Sequence, residues 1–271
     1  MFAFEVTDSG LSQWDCQELA DQLVRDGVVE SISAQTVRCI LANHKLKPWR
    51  HHMWLSPKQP RDAAFCATVE EIVGLYTRTL ADHEVVLCVD EKTSLQPRPR
   101  PTPTLSAQPG NVPNRVEHEY KRAGALQLFA AFDTRSGKVY KECHDRKRQV
   151  EFIHFLEMLD SKIPASVTDI HIILDNLRMH KGKEVQKWLE KHKRFVFHFT
   201  PVHCSWMNQV EQWFSILQRK RFRISDSQSK SDLRAKIDQF TREWNEHAHP
   251  FNWTTKSVAK VMAQAKLAKA A

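Results

Sequence analysis

The chain has 271 residues, enough to bury a core without disulfides, and we expect one large domain with a smaller one beside it. Its six cysteines are scattered without a CxxC pair, and no apolar run approaches the roughly 20 residues that cross a bilayer. These features argue against a disulfide scaffold, a zinc ribbon and a membrane protein, and they favour a reducing, intracellular compartment. The excess of 40 Lys+Arg over 32 Asp+Glu gives a net charge of +8, which favours a polyanionic partner such as nucleic acid.

Residues 1–60 are predicted to form a small helical module. Asp15 and Glu18 have the spacing of a capping box before a first helix, which Gly27 ends, and Ser33 is a suitable N-cap for a second helix. The second helix resembles the recognition helix of a helix-turn-helix, although an ordinary helical hairpin fits the same pattern. Its polar face and the residue just beyond it carry side chains suited to base edges and phosphates: Gln35, Thr36, Arg38, Asn43 and Lys45.

The segment 61–82 is predicted to be a helix that links this module to a second domain, residues 83–271. That domain begins with an apolar strand at 84–90, "EVVLCVD", which ends on Asp90. A Pro-rich stretch then occupies 96–114. It has neither helical nor strand periodicity, so we predict an extended loop.

Strands and helices alternate further along the chain. "ALQLFAAFDTRSGKVYKECH" predicts a β-hairpin whose turn uses Gly137, and "DIHIILD" and "RFVFHFT" predict two more strands. "RQVEFIHFLEMLDSK", "GKEVQKWLEKHK" and "CSWMNQVEQWFSILQRKR" predict helices, and a final helix pair covers 230–247 and 255–268. The order β, β, β, α, β, α, β, α predicts an α/β fold with a mixed sheet flanked by helices.

Two of the predicted strands end on acidic residues, Asp90 and Asp175. One such Asp would be an ordinary turn former or N-cap, but neighbouring strands would bring both carboxylates to one edge of the sheet. Two carboxylates about 4 Å apart repel by roughly 4 kcal/mol at an effective dielectric near 20, a cost that a cation would offset. Glu211, on the helix after the last strand, flanks the buried face of that helix and can reach the same edge.

Carboxylate oxygens without cysteine or paired histidine suit Mg²⁺ or Mn²⁺. Two such ions roughly 3.5 to 4 Å apart support phosphodiester chemistry, so the pattern predicts a nuclease or a strand transferase. Glu91 follows Asp90 directly on its strand, so we expect its side chain on the opposite face, outside the metal site. A basic run after the Glu211 helix is predicted to contact DNA phosphates, although a solvated helix face fits it as well. The run comprises Arg219, Lys220, Arg221 and Arg223.

Four segments in chain order resemble the insertion-sequence transposases of the mariner-like superfamily. They are "CVDEK" at 88–92, "YKRAGALQLFAAFDTRSGKV" at 120–139, "ILDNLRMHKG" at 173–182 and "FTPVHCSWMNQVEQWFSILQRK" at 199–220. The resemblance covers about 190 residues from Glu84 onward. It implies a ribonuclease H-like catalytic domain with a mixed five-stranded sheet and the three acids of the DDE type.

The resemblance also implies a mechanism. Asp90, Asp175 and Glu211 would form a catalytic triad that holds two Mg²⁺ ions. The family cuts double-stranded DNA at the element's terminal inverted repeats and joins the released 3′-hydroxyl to a target, often at a TA dinucleotide. Asn176 would orient the site. His180 would contact a phosphate or support the metal ligands, with a helix-start histidine bonded to backbone as the alternative. A homodimer that pairs two DNA ends, in the cytoplasm and nucleoid of a bacterial-type cell, follows from the same resemblance.

The chain departs from the family pattern in two places. Relatives commonly have Asn-Pro where this chain has Asn208-Gln209, and they usually carry two helix-turn-helix units, of which only the second has a counterpart here. We therefore expect a truncated end-binding module. Two alternatives to transposition stay open: a metal-dependent nuclease without strand transfer, and a transposase-derived DNA-binding protein that no longer cuts. The Pro-rich loop is either an insertion that contacts DNA or a partner, or a linker.

Overall fold

The computed structural model describes the chain at residues 14–44, 62–110, 112–224, 226–252 and 259. The chain divides into two compact units, Met1–Lys58 and Gln59–Ala271. No helix within the described residues is long and apolar enough to cross a membrane.

The first unit contains two helices, α1 (Cys16–Arg25) and α2 (Ala34–Asn43), which pack against each other. Asp15 and Glu18 form the complete capping box at the start of α1. Ser33 caps α2, because its side chain accepts a backbone N–H of the first turn. The two predicted N-terminal helices are therefore present, each starting at the cap that the sequence indicates.

The second unit is a five-stranded sheet with helices on both faces. Its strands are β1 (Glu84–Leu95), β2 (Leu126–Asp133), β3 (Val139–His144), β4 (Asp169–Leu174) and β5 (Phe195–Phe199). Its helices are α3 (Ala63–Thr77), α4 (Gln149–Lys162), α5 (Lys183–Lys191), α6 (Val210–Leu217) and α7 (Lys230–Glu246). A short 3₁₀ turn (Ser205–Met207) precedes α6 and a π-helical turn (Gln218–Phe222) follows it. The strand order is β3-β2-β1-β4-β5, with β1, β2 and β3 antiparallel and β4 and β5 parallel to β1, so the predicted mixed sheet is confirmed.

Both faces of this sheet are buried, which explains why β1 begins as a continuous apolar run and not as an alternating one. Val86 and Cys88 pack with α3, α6 and α7, on what we call the α6 face. Leu87 and Val89 pack with α4 and α5, on the α4 face. Side chains at the end of β1 therefore stand next to one of two hydrophobic cores.

β1 is longer than the sequence pattern predicts. The apolar run ends at Val89, but the strand continues to Leu95 because its second half stays paired with β2, with a shift of register between Lys92 and Leu95. The pairing of β1 with β4 extends only to Cys88. Asp90 thus lies inside β1 with respect to β2 but just past the end of the β1–β4 ladder.

The predicted linker helix of 61–82 corresponds to α3, whose Val69 and Ile72 are part of the core on the α6 face. Just after α3, Arg78 forms a bidentate ion pair with Glu84 at the start of β1, with N–O distances of 2.6 and 2.8 Å. These hydrogen bonds are the main reason that the pKa of Glu84 lies well below its ordinary value.

The Pro-rich loop after β1 contains no helix or strand in its described residues. A bridge between Leu105 and Arg115 folds it back on itself. Of the predicted final helix pair, the first is α7, and the second, 255–268, lies outside the described residues apart from residue 259.

Candidate active site

Strands β1 and β4 bring Asp90 and Asp175 to the same edge of the sheet. The last parallel pair joins Cys88 to Ile173, and both of these side chains are in the core on the α6 face. Asp90 lies two residues after Cys88 in β1, so the period of a strand places it on that face, and Asp175 directly follows Leu174, the last residue of β4. Asp90 also pairs with Ala130 of β2, another residue of this core, and it is only 8% exposed.

Helix α6 brings Glu211 to the same face. Its apolar side, which includes Trp213 and Phe214, is buried against the sheet, and Glu211 is exposed in the first turn. Asn208 positions the start of the helix. Its side-chain amide donates to the carbonyl of Val89 at 2.8 Å, and its backbone carbonyl accepts the N–H of Glu211 at 3.1 Å. Asn208, which matches the Asn of the family's Asn-Pro pattern, ties the helix of Glu211 to the strand of Asp90.

The negative charges of Asp175 and Glu211 act on Asp90. Burial, together with the negative charges of Glu91, Glu211 and Asp175, raises the pKa of Asp90 to about 7, although a hydrogen bond from the Glu91 N–H acts in the opposite direction. This is the pattern expected when carboxylates share a site without a cation. The triad is nevertheless open: within the described residues, the one group of three His, Cys, Asp or Glu side chains whose ligand atoms all lie within 4.8 Å is elsewhere.

His180 connects Asp175 to a second buried acid. Its Nε2 lies 2.9 Å from Glu91 Oε1 and its Nδ1 lies 3.1 Å from Asp175 Oδ1. Burial lowers the pKa of His180, but the hydrogen bonds to Asp175 and Glu91 outweigh it and raise the pKa to about 9. The imidazole is completely buried, and its Nδ1 is also 3.2 Å from the Asp175 carbonyl, the backbone contact of the alternative interpretation.

Glu91 is the site residue that sequence reasoning missed. Its side chain is on the α4 face, opposite Asp90, as the strand period predicts, yet through His180 it reaches Asp175. The ammonium of Lys147 lies 3.6 Å from its other oxygen. The signal in the sequence is an acidic residue in a strand that is buried on both faces, because such a carboxylate requires a partner.

The pKa of Asp175 is shifted in the opposite direction from that of Asp90. Burial raises its pKa, but the hydrogen bonds from His180 and from the N–H of Leu177 outweigh it, and the pKa lies below its ordinary value. Next to it, Asn176 donates its amide to the carbonyl of Thr200 and accepts a bond from Lys181 at 2.6 Å. Asn176 thus joins the end of β4 to the end of β5, which holds Asp175 in place.

The predicted DNA-binding residues lie in both units. In the first unit, the four residues on α2, Gln35, Thr36, Arg38 and Asn43, are exposed, and Lys45 lies outside the described residues. In the second unit, the basic run continues the α6 helix: Arg219, Lys220 and Arg223 are exposed, and Arg221 is half-buried, 3.9 Å from Asp226. Residue 219 is eight positions after Glu211, or about 12 Å along a helix axis.

Known proteins resemble the chain in both sequence and fold. The model of a family described as DDE superfamily endonuclease matches residues 85–234. Over 134 residues, 49% of this chain, the sequence is 30% identical to the "Insertion element IS630 uncharacterized 39 kDa protein" of Shigella sonnei, and the match spans only 38% of that protein.

Two similar solved structures are a pre-cleavage Mos1 transpososome and the Mos1 strand transfer complex. The first has a TM-score of 0.52 and 15% identity and covers 84% of this chain and 67% of its own. The second has a TM-score of 0.50 and 15% identity and covers 84% and 66%. At this identity the likeness concerns the fold alone, and it confirms the predicted ribonuclease H-like sheet.

Proposed function

Because the chain belongs to the family of DDE superfamily endonucleases, we propose that it is a DNA transposase that cleaves phosphodiester bonds at transposon ends and joins the 3′-hydroxyl to target DNA. Its partner is double-stranded DNA, namely the terminal inverted repeats and the target, and a homodimer would hold the two ends together. The similarity to a protein of an insertion element and the fold shared with Mos1 transposase complexes support this proposal. A cytoplasmic, nucleoid-associated location is part of it.

One observation carries the proposal: Asp90, a carboxylate only 8% exposed, lies at the edge of the sheet where β4 ends just before Asp175. Burial and the charges of neighbouring acids, including Asp175 and Glu211, raise its pKa to about 7. A carboxylate group left in this state destabilises the fold, so its presence needs a functional reason. The donor set is oxygen only, which fits Mg²⁺ or Mn²⁺. Asp90, Asp175 and Glu211 would hold two such ions, which supply charge stabilisation for the attacking and leaving oxygens of a displacement at phosphorus.

The remaining residues position these acids. Asp175 contacts His180, and its neighbour Asn176 bonds to the carbonyl of Thr200 just after β5. The Asn208 bond to β1 sets the start of the helix that carries Glu211. In cleavage, water attacks the scissile phosphorus and the P–O3′ bond breaks, which leaves a 3′-hydroxyl and a 5′-phosphate. In joining, that hydroxyl attacks a target phosphorus and displaces the target's own 3′-oxygen.

Binding of the DNA would use the basic and polar surfaces of each unit. The exposed side chains of α2 suit contacts in the major groove, as expected for a recognition helix. Arg219, Lys220 and Arg223 suit phosphate contacts near Glu211. Phosphate contacts of this kind make binding depend steeply on salt concentration.

The test is a cleavage and joining assay. The full chain is incubated with a labelled duplex carrying the terminal inverted repeat of its element and an unlabelled target, with Mg²⁺, with Mn²⁺ or with EDTA. We expect nicked and joined products with either metal and none with EDTA or in Asp175→Asn. Asp82→Asn, an exposed acid in the turn before β1, is the matched control and should keep activity.

The outcomes distinguish the alternatives. Metal-dependent nicking without joined product would support a nuclease and contradict strand transfer. A shifted but uncut duplex under all metal conditions would support a DNA-binding protein that no longer cuts. Nicking that persists in Asp175→Asn would remove the acidic triad from the proposal.

A further inference from the structure

A group of side chains of the kinds that bind metal ions lies on the other face of the sheet from Asp90. Glu142 and His144 are two residues apart on the edge strand β3 and therefore share a face, and His154 is on α4. Glu142 pairs with Phe129, which belongs to the core on the α4 face. Within the described residues, this is the one group of three His, Cys, Asp or Glu side chains whose ligand atoms all lie within 4.8 Å of one another.

The two histidines contact the same carboxylate oxygen of Glu142. Glu142 Oε2 lies 3.0 Å from His144 Nε2 and 3.0 Å from His154 Nδ1. In a tetrahedral zinc site with bonds of about 2.0 to 2.2 Å, neighbouring ligand atoms are roughly 3.3 to 3.6 Å apart. The observed contacts therefore need only small side-chain movements to become ligand spacings. The two imidazole rings are 79° apart in plane, so their nitrogens approach from different directions.

The surroundings hold two of the ligands and leave the third accessible. The side chains of Glu142 and His144 are 22% and 19% exposed, and the His144 ring packs edge-on against Phe129 with centroids 5.5 Å apart. The side chain of His154 is 62% exposed, which gives an ion a path to the cluster and leaves room for a water ligand. Glu157, one turn further along α4, adds negative charge near His154.

We propose that Glu142, His144 and His154 bind one divalent transition-metal ion of the zinc class, with the fourth position open to water. Two histidines and one carboxylate are a common ligand set for Zn²⁺ and related ions, whereas Mg²⁺ prefers oxygen ligands alone. On binding, the ion replaces both hydrogen bonds to Glu142, and each imidazole carries its hydrogen on the other ring nitrogen. The ion would link the edge strand β3 to α4. This site is separate from the proposed catalytic metals in both location and ligand chemistry.

The experiment measures zinc binding by the full chain, independently of any activity. The protein is stripped with EDTA, dialysed, and titrated with Zn²⁺ in competition with a chromophoric chelator. The comparison is between the wild type, His154→Ala and Glu142→Gln. His154 is exposed on a helix and alanine is a good helix former, so His154→Ala should fold like the wild type. We expect it to weaken binding of one Zn²⁺ by more than the roughly 10- to 100-fold that changes outside the ligand set cause.

Two controls locate the effect. His118→Ala, an exposed loop histidine, and Asp175→Asn, in the acidic triad, should both keep the zinc site. Zinc should also raise the melting temperature of the wild type and leave that of His154→Ala unchanged. The proposal is overturned if the zinc titrations of His154→Ala and Glu142→Gln superimpose on that of the wild type, or if Asp175→Asn alone removes the bound zinc.

Discussion

Replacing Asp90 by asparagine should stabilise the metal-free protein. Burial and neighbouring negative charge raise the pKa of this carboxyl from 3.8 to about 7. A pKa difference of about 3 corresponds to about 4 kcal/mol at 1.36 kcal/mol per pKa unit, which is the cost of ionising Asp90 in the folded state. Asparagine has nearly the same shape and its oxygen can still accept the N–H of Glu91. The variant removes the charge and should therefore gain up to about 4 kcal/mol at pH 8.

The pH dependence gives the sign of the effect. Between pH 3.8 and about 7 the folded state binds more protons at Asp90 than the unfolded state, so the free energy of unfolding falls as pH rises through this range. Below pH 3.8 the group is protonated in both states and the difference between wild type and Asp90→Asn should disappear. The variant should lack this slope.

The assay is urea unfolding in EDTA, followed by tryptophan fluorescence at several values of pH, and then repeated with Mg²⁺. The metal should stabilise the wild type and have little effect on Asp90→Asn, since the proposed ligand is lost. Asp82→Asn, at an exposed turn, should change the free energy of unfolding by less than about 0.5 kcal/mol. If Asp90→Asn is less stable than the wild type at pH 8 in EDTA, the idea of an acidic cluster that awaits a cation is refuted.

Three further predictions concern other buried or paired groups. His180→Ala leaves the carboxylate of Glu91 buried without its closest donor, so it should lower the free energy of unfolding by about 3 to 5 kcal/mol. In a Glu91→Gln background the same substitution should cost clearly less. Equal losses in the two backgrounds of this double-mutant cycle would contradict the coupling between His180 and Glu91. Because the ion pair at the start of β1 lowers the pKa of Glu84, wild-type stability should fall as the pH drops below 4.5, and acid titration of Glu84→Gln should lack that part of the loss. Burial raises the pKa of Cys88 to about 12, so iodoacetamide at pH 8 should modify the exposed Cys39 in the native protein and leave Cys88 unmodified. Mass spectrometry of the peptides measures both reactions. Modification of the two cysteines at similar rates would refute the burial of Cys88.

Local sequence patterns determined most of the secondary structure and the chain positions of the acids. The capping box at Asp15 and the N-cap at Ser33 act within one helical turn, so the four residues after them contain the whole signal. The apolar run before Asp175 ends where β4 ends, because a strand that is buried on both faces consists almost entirely of apolar residues. The family motifs added the expectation of a ribonuclease H-like sheet with five strands, which no single segment contains.

Only the tertiary structure decided which side chains meet. The extension of β1 past Asp90 comes from pairing with β2, the contact of Glu91 with His180 crosses 89 positions, and the Glu142, His144 and His154 group forms where an edge strand meets a helix. Each of these depends on register and packing between elements that are separate in the chain. Hydrophobic periodicity tells which face of an element is buried, but the partner on that face is chosen by the three-dimensional packing of the whole unit.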